Sequence, residues 1–155
     1  MEQIFTLAVI LREDQVLLAR KLRSFGAGKW VGFGGKVERG ESVEEAMVRE
    51  CGEEVGVFPT ASQAAGSLLT EHLQANGEVD QHRVYLFLVT DFEGVPRASD
   101  EMGSPTWFSF EDIPYDEMWE SDRVWLPRVL RGERVEGEFV FDEWGGMVEH
   151  EIVSS

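Results

Sequence analysis

Three glutamates, Glu50, Glu53 and Glu54, lie at relative positions i, i+3 and i+4 in the first third of the chain. On an α-helix this spacing brings their side chains within an arc of about 100°. Like charges at this spacing destabilise a helix by roughly 0.2–0.5 kcal/mol per pair, so we expect a cation on that face. Carboxylate oxygens select hard cations such as Mg²⁺ or Mn²⁺. The triplet therefore predicts a helix that faces a divalent metal ion.

The residues around the triplet carry the start and stop signals of one helix. Ser42 followed by Glu45 is a capping-box sequence that predicts the helix start, and Gly56 predicts its end. The side chains predicted to face a core form a stripe at Val43, Ala46, Met47, Cys51 and Val55. An ordinary acidic amphipathic helix would explain these signals, but not the adjoining glycine-rich loop or Glu41.

The rest of the chain predicts an α+β fold. Strand patterns lie, in chain order, at 5–11, 16–19, 68–73, 83–92, 106–110, 135–141 and 147–153. The glycine-punctuated segment 24–35 predicts a loop with a short strand, and 121–130 predicts a second helix. This order of elements indicates mixed sheets flanked by helices. We expect residues 1–155 to form one domain, because the length suits one core and no linker or repeat interrupts it.

The charge balance argues against a nucleic-acid-binding protein. The formal net charge is −16, whereas binding to long DNA or RNA requires a basic surface. A small phosphorylated substrate is compatible with this charge, because divalent cations can bridge two anions. The acidic excess also serves solubility, so it does not by itself establish a metal site.

Several features predict a cytoplasmic protein that does not enter a membrane. No apolar run approaches the length of a membrane span, and residues 1–3 lack the basic flank of a signal peptide. A single cysteine cannot form an internal disulfide, which favours a reducing compartment. One cysteine and three scattered histidines do not indicate zinc.

The segment 35–57 resembles the signature of the Nudix hydrolases. It reads Gly-x5-Glu-x7-Arg-Glu-apolar-x-Glu-Glu-x-Gly-apolar, and every specified position is filled, with Cys51 as the first apolar residue. The resemblance extends to the segments 25–30, 32–36, 99–102, 113–114 and 118–119 and to the closing hairpin. Within the family it is similar to the animal-type 8-oxo-dGTP diphosphatases. It implies the Nudix fold, a mixed sheet between helices, in which the signature forms a loop, a helix and a loop.

The resemblance implies metal-dependent hydrolysis of oxidised purine nucleoside triphosphates such as 8-oxo-dGTP, which cleanses the nucleotide pool. The implied metal ligands are the carboxylates of Glu50, Glu53, Glu54 and Glu101 and the backbone carbonyl of Gly34. Mg²⁺, with Mn²⁺ as an alternative, polarises phosphoryl oxygens and lowers the pKa of a water. Glu53 or Glu50 then acts as the base, and the sequence does not separate the two. The implied products are a nucleoside monophosphate and diphosphate.

The resemblance also implies an ion pair between Glu41 and Arg49 that ties the loop to the catalytic helix. Arg49 lies four residues after Glu45, so a plain surface pair within the helix is the alternative. The implied substrate contacts are Thr6, Lys21, Phe25, Phe33, Gly35, Lys36, Trp119 and Asp122. Among them, Trp119 stacks on the base and Asp122 contacts its edge.

Five of these substrate contacts have a structural alternative. Trp119 and Phe25 are core aromatics in that alternative, and Lys21 and Lys36 are solvated lysines. Asp122 is the N-cap of the second helix, since aspartate is a favoured cap. The alternatives differ in whether these side chains face a common cavity.

The chain departs from the pattern of the animal enzymes at the base pocket. Val31 stands where they have asparagine, and Ser121-Asp122 stands where they have two aspartates. Thr70 and His72 take the place of aromatic residues. Ordinary nucleotides or nucleoside diphosphate derivatives are therefore alternative substrates. A non-catalytic nucleotide sensor is a further alternative, against which the intact carboxylate set argues.

Overall fold

The computed structural model describes residues 2–155. Its elements, in chain order, are β1 (Glu2–Arg12), β2 (Gln15–Arg20), β3 (Trp30–Val31), α1 (Val43–Val55), β4 (Phe58–Leu73), β5 (Val79–Glu93), β6 (Thr106–Ser109), α2 (Asp122–Leu130), β7 (Val135–Phe141) and β8 (Met147–Ser154). Two short 3₁₀ turns, Phe110–Asp112 and Tyr115–Glu117, lie between β6 and α2. Neither helix within residues 2–155 has the length and apolar character needed to cross a membrane.

The strands form a mixed sheet in the order β3-β2-β1-β5-β4-β7-β8, with β6 paired to β2. β1 runs parallel to β5 and β4 runs parallel to β7, while the other neighbours are antiparallel. Successive residues of β1 alternate between two buried clusters: Val9 joins the cluster that contains α2, and Ala8 and Ile10 join the cluster that contains α1. The sheet therefore lies between two helices, which confirms the predicted α+β arrangement.

Helix α1 begins and ends where the sequence predicts. The Ser42 side chain accepts a hydrogen bond from the Glu45 backbone N–H at 3.0 Å, and the Glu45 carboxylate accepts one from the Ser42 N–H at 3.0 Å. Gly56 ends the helix in the left-handed region, at φ 71°, where glycine carries no side-chain penalty. The predicted stripe faces the core, with Met47 and Cys51 fully buried.

The two central strands are longer than the sequence indicates. β4 and β5 are predicted at 68–73 and 83–92 but span Phe58–Leu73 and Val79–Glu93. The first half of β4 carries exposed polar side chains, and its pairing with β5 shifts register three times before Gly66. These irregularities interrupt the alternation of apolar and polar residues on which strand prediction relies.

Candidate active site

An acidic cavity of about 200 Å³ lies where α1 meets the loop 99–102. Its lining residues are Arg23, Glu53, Glu54, Ser99, Asp100 and Glu101. The loop is held by the Leu22 N–H, which donates to the Glu101 carbonyl at 2.8 Å. The Ser99 hydroxyl accepts hydrogen bonds from the backbone N–H groups of Glu101 and Met102. Glu101 thus joins two carboxylates of α1 from which it is distant in sequence.

Glu54 is the most buried of the acidic groups, with 6% of its surface exposed. Its Oε1 accepts a hydrogen bond from the Gly34 N–H at 3.0 Å. Burial raises the pKa of Glu54 to about 8, and the neighbouring charges of Glu50 and Glu101 add to the increase. A cation bound at this carboxylate would offset both the free-energy cost of burying its charge and the repulsion from Glu50 and Glu101.

Arg49 connects the loop before α1 to the face of the helix that carries Glu50 and Glu53. Its Nε and Nη2 donate to the two oxygens of Glu41 at 2.6 and 2.9 Å, a bidentate pair. Its Nη1 donates to Glu50 at 2.7 Å and contacts Glu53 at 3.2 Å. The predicted pair of Glu41 and Arg49 is therefore present, whereas the Glu45 carboxylate is engaged in the capping box.

The acidic groups fit a hard divalent cation chemically. Desolvation raises the pKa of Glu50, and the charges of Glu53 and Glu101 raise it further, so these carboxylates repel one another. A Cβ added at Gly35 would lie 2.6 Å from the Glu50 carboxyl carbon, so a larger residue there would displace the Glu50 carboxylate.

The carboxylates are not gathered around one point. Within residues 2–155, no three His, Cys, Asp or Glu side chains form a group that could hold a metal ion. Arg49 holds Glu50 and Glu53, and the Gly34 N–H holds Glu54. The roles of Gly34 and of the four glutamates as metal ligands stay predictions.

An aromatic cavity of about 280 Å³ adjoins the acidic one. Among the residues that line it are Thr6, Lys21, Phe25, Val31, Gly34, Gly35, Thr70, His72, His82, Trp119, Ser121 and Asp122, and most of the other lining residues are apolar. Glu54 lines both cavities, so the two meet at its carboxylate. The Thr6 N–H donates to the Gly35 carbonyl at 2.9 Å, which fixes the glycine loop against β1. The structure thus brings most of the predicted substrate residues to one site.

Trp119 and Phe25 face this cavity from two different segments. Their ring centroids are 5.0 Å apart, and Phe25 is 59% exposed, so Phe25 is not a core residue. Trp119 packs against the edge of the core while one side borders the cavity. The Lys29 ammonium lies 4.9 Å from the centroid of the Trp119 ring, a cation–π contact that positions the indole.

Asp122 is the first residue of α2 and does not cap it. The N-cap is Ser121, and no side chain there makes a capping hydrogen bond, so the predicted capping alternative is wrong. The Asp122 Oδ1 instead accepts a hydrogen bond from the Trp125 indole N–H at 3.0 Å. Burial raises the pKa of Asp122 to about 7, so the neutral form of this carboxyl group is favoured far more than in an exposed aspartate.

Two predicted substrate contacts lie outside both cavities. The Phe33 side chain is fully buried in the cluster that contains α1, so its prediction as a substrate contact is wrong. Side chains alternate along this segment, and Gly32 and Gly34 take the cavity side that Phe33 leaves. Lys36 is exposed and lines neither cavity, as expected for a solvated lysine.

The predicted site residues do not include Arg23, Asp100 or His82. Arg23 lies 3.7 Å from the Glu101 carboxylate, and Asp100 lines the acidic cavity. His82 lines the aromatic cavity because it pairs with Thr70 across β4 and β5. No pattern within either strand indicates this pairing, because it depends on the register between two long strands.

The chain matches known proteins along almost all of its length. A family model described as the NUDIX domain matches residues 2–129. The oxidized purine nucleoside triphosphate hydrolase of Danio rerio is 39% identical over 150 residues, which cover 97% of this chain and 94% of that protein. The protein of the same name from Mus musculus is 36% identical over 141 residues, or 91% and 88% of the two chains. The crystal structure of a mutator MutT protein from Bacillus halodurans superposes with a TM-score of 0.85 at 27% identity, covering 97% of each chain. The chain therefore belongs to the Nudix family.

Proposed function

We propose that this hydrolase acts on oxidised purine nucleoside triphosphates such as 8-oxo-dGTP, and releases the nucleoside monophosphate and diphosphate. The observation that carries the proposal is the meeting of an acidic and an aromatic cavity at the Glu54 carboxylate. A nucleotide has a charged end and a planar end, and the two cavities match them in chemistry. The names of the zebrafish and mouse relatives support the oxidised purine as the base. The activity would cleanse the nucleotide pool.

We propose Mg²⁺ as the metal ion, with Mn²⁺ as an alternative. The residues that would hold it are the carboxylates of Glu50, Glu53, Glu54 and Glu101 and the carbonyl of Gly34. When bound, a divalent ion supplies positive charge to phosphoryl oxygens and lowers the pKa of a water. Arg49 orients two of these carboxylates through direct hydrogen bonds.

The base that takes the proton from the attacking water is Glu53 or Glu50. Glu53 lines the acidic cavity, and 60% of its side chain is exposed, so an incoming phosphate can reach it. The pKa of Glu50 is raised by desolvation, which makes this carboxylate a stronger base than an exposed glutamate. Substitution of each residue separately, with a pH–rate profile for each variant, distinguishes the two assignments.

The aromatic cavity supplies the base site. Trp119 stacks on the purine, Phe25 borders it, and Asp122 contacts its edge. Lys21 lines the same cavity and carries the positive charge that suits a sugar or phosphate oxygen. The Val31 side chain, which also lines it, offers no hydrogen bond, so the same chemistry on an ordinary nucleotide or a nucleoside diphosphate derivative is the second candidate.

The proposed partner is a small nucleotide rather than a long nucleic acid, in keeping with the net charge of −16. A cytoplasmic location stays a prediction from the single cysteine. We also propose that residues 1–155 form one domain. The parallel pairing of β7 with β4 supports this, because it joins the segment beyond residue 129 to the central sheet.

A turnover screen tests the proposed function. The protein is incubated with oxidised and unmodified purine triphosphates, with Mg²⁺ or with a chelator, and the products are separated by chromatography. We expect monophosphate and diphosphate from 8-oxo-dGTP only when Mg²⁺ is present. A higher kcat/KM for unmodified nucleotides would establish the second candidate instead. Silence across the whole panel would indicate a nucleotide sensor.

A further inference from the structure

One wall of the aromatic cavity is polar. It consists of Thr70, His72 and His82, and we call it the polar wall. Thr70 and His72 are two residues apart on β4 and so share a face, and His82 pairs with Thr70 from β5. All three line the cavity. The wall therefore presents two imidazoles and a hydroxyl to any base that enters.

The His72 ring lies among the aromatic side chains of the cavity. It stacks on Phe141, with centroids 4.9 Å apart, and meets the edges of Phe25 and Trp119 at 5.0 and 5.9 Å. These contacts fix the plane of the imidazole beside the two rings that are proposed to border the base. A hydrogen bond from His72 would therefore have a defined direction, as base discrimination requires.

Burial favours the neutral form of both imidazoles. Burial lowers the pKa of His72 to about 4, and burial also lowers the pKa of His82. A neutral imidazole has one nitrogen that donates and one that accepts. In residues 2–155, no protein hydrogen bond involves the ring nitrogens of either histidine. The Thr70 hydroxyl donates a long hydrogen bond to the His82 backbone carbonyl, at 3.5 Å. The wall thus offers donors and acceptors to a ligand.

We propose that the polar wall recognises the five-membered-ring edge of an oxidised purine. This inference rests on the proposed base site and names the group that selects the substrate. An 8-oxopurine has a carbonyl acceptor at C8 next to an N7–H donor. An unmodified purine has a C–H at C8 and only a lone pair at N7. A neutral imidazole beside a hydroxyl or a second imidazole matches the oxidised pair and leaves the unmodified edge incompletely bonded.

The position of the wall leaves the rest of the base to other residues. Trp119 remains available to stack on the ring face, and Asp122 remains available for the six-membered-ring edge. Discrimination would then be divided between two sites. The polar wall would distinguish purines that are oxidised at C8 from unmodified purines, and Asp122 would distinguish guanine from adenine.

Product binding tests the inference without requiring turnover. Isothermal titration calorimetry measures the Kd of 8-oxo-dGMP and of dGMP for the native chain and for His72→Phe and Thr70→Val. We expect the native chain to prefer 8-oxo-dGMP. Each variant should lower that preference by about tenfold, the effect of one lost hydrogen bond in a desolvated pocket. Circular dichroism checks that each variant is folded.

Two controls separate this inference from general damage to the pocket. His150→Phe makes the same substitution at an exposed histidine of β8 that lies outside the cavity lining, and should leave both Kd values unchanged. The preference for 2-oxo-dAMP over dAMP should also survive His72→Phe, because that oxygen lies on the other ring.

Two results would overturn the inference. One is a native chain that binds 8-oxo-dGMP and dGMP equally. The other is a preference for 8-oxo-dGMP that both variants retain within about twofold, which is less than one hydrogen bond contributes. A chain that binds selectively yet hydrolyses no triphosphate would refute the proposed function and leave the polar wall supported. The two failures are therefore distinguishable.

Discussion

The two cavities are built in opposite ways. In the acidic cavity, Glu53 and Glu54 come from one turn of α1 and are joined by the short loop 99–102. The aromatic cavity draws its lining residues from β1 to β5 and β7, from the loop that carries Phe25, and from the segment of Trp119 and α2. The groups proposed for the chemistry thus depend largely on local spacing along a helix. The groups proposed for base recognition depend on how distant strands and loops are brought together.

The cavities also differ in how they treat charge. In the acidic cavity, burial and mutual repulsion raise the pKa of Glu54 to about 8, which favours binding of a cation. In the aromatic cavity, burial lowers the pKa of His72 to about 4 and raises that of Asp122 to about 7, so both groups tend towards their neutral forms. Burial thus favours the neutral forms in both cavities, but only in the acidic cavity do several carboxylates also repel one another, and a bound cation would offset that repulsion.

The largest expected effect is in the acidic cavity. Glu53→Gln or Glu54→Gln should lower kcat by about 10²–10⁴-fold, because each removes a proposed metal ligand, and the first also removes a candidate base. The KM for 8-oxo-dGTP should change much less, since glutamine has nearly the same size as glutamate and the groups proposed to contact the base, Phe25, Trp119 and Asp122, are unaltered. Steady-state kinetics with Mg²⁺ measures both constants.

Glu44→Gln is the matched control for these variants. Glu44 lies on the same helix, is exposed and lines neither cavity, so its substitution should leave kcat within about twofold, as expected for a surface position. Near-normal kcat in both Glu53→Gln and Glu54→Gln would refute the assignment of the acidic cavity. Thermal unfolding of each variant verifies that the fold is retained.

The local features of the molecule follow from the sequence. The capping box of Ser42 and Glu45, the helix end at Gly56 and the closing hairpin all lie where their signals predict. These features depend on hydrogen bonds between near neighbours or on a simple periodicity, so a short window contains the necessary information. The Glu41–Arg49 pair is predictable only through the family resemblance, because Glu45, four residues before Arg49, is the nearer partner on a helix.

The parts that the sequence did not predict depend on strand register. Phe33 is aromatic, as a residue of a base pocket often is. Its backbone pairs with Ala8, and the alternation of side chains along this segment directs its ring towards α1. His82 faces the cavity because the hairpin after Leu73 pairs it with Thr70. A shift of one residue between β4 and β5 would place His72 and His82 on opposite faces of the sheet. Strand patterns alone do not determine that register, because it depends on the geometry of the loop 74–78 that joins the two strands.

An intermediate effect is expected at Trp119. Trp119→Ala should raise KM for 8-oxo-dGTP by about 10- to 100-fold, because stacking on an aromatic side chain contributes about 1–3 kcal/mol per base. The value of kcat should change little, since no group of the acidic cavity is altered. Trp144→Ala is the control: Trp144 is 83% exposed and outside the cavity lining, so KM should not change. Loss of folding in Trp119→Ala alone would identify Trp119 as a structural residue.

The smallest expected effect is a pH dependence carried by Asp122. Below its pKa of about 7 the carboxyl group both donates and accepts, and above it the carboxylate only accepts. The adjacent N1 and N2 groups of guanine present two donors, whereas the adjacent N1 and N6 groups of adenine present an acceptor and a donor. As the pH rises through 7, KM for 8-oxo-dGTP should fall and KM for 8-oxo-dATP should rise, each by about fivefold.

The ratio of the two KM values between pH 6 and pH 8 isolates this effect. Ionisation of the triphosphate and of the acidic cavity alters both substrates alike and cancels in the ratio. Asp122→Asn cannot titrate, so its ratio should be constant over the same range. A native ratio that does not vary with pH would show that Asp122 does not contact the base edge. The aromatic cavity would then select its substrate through stacking and the polar wall alone, which would make the contrast between the two cavities sharper still.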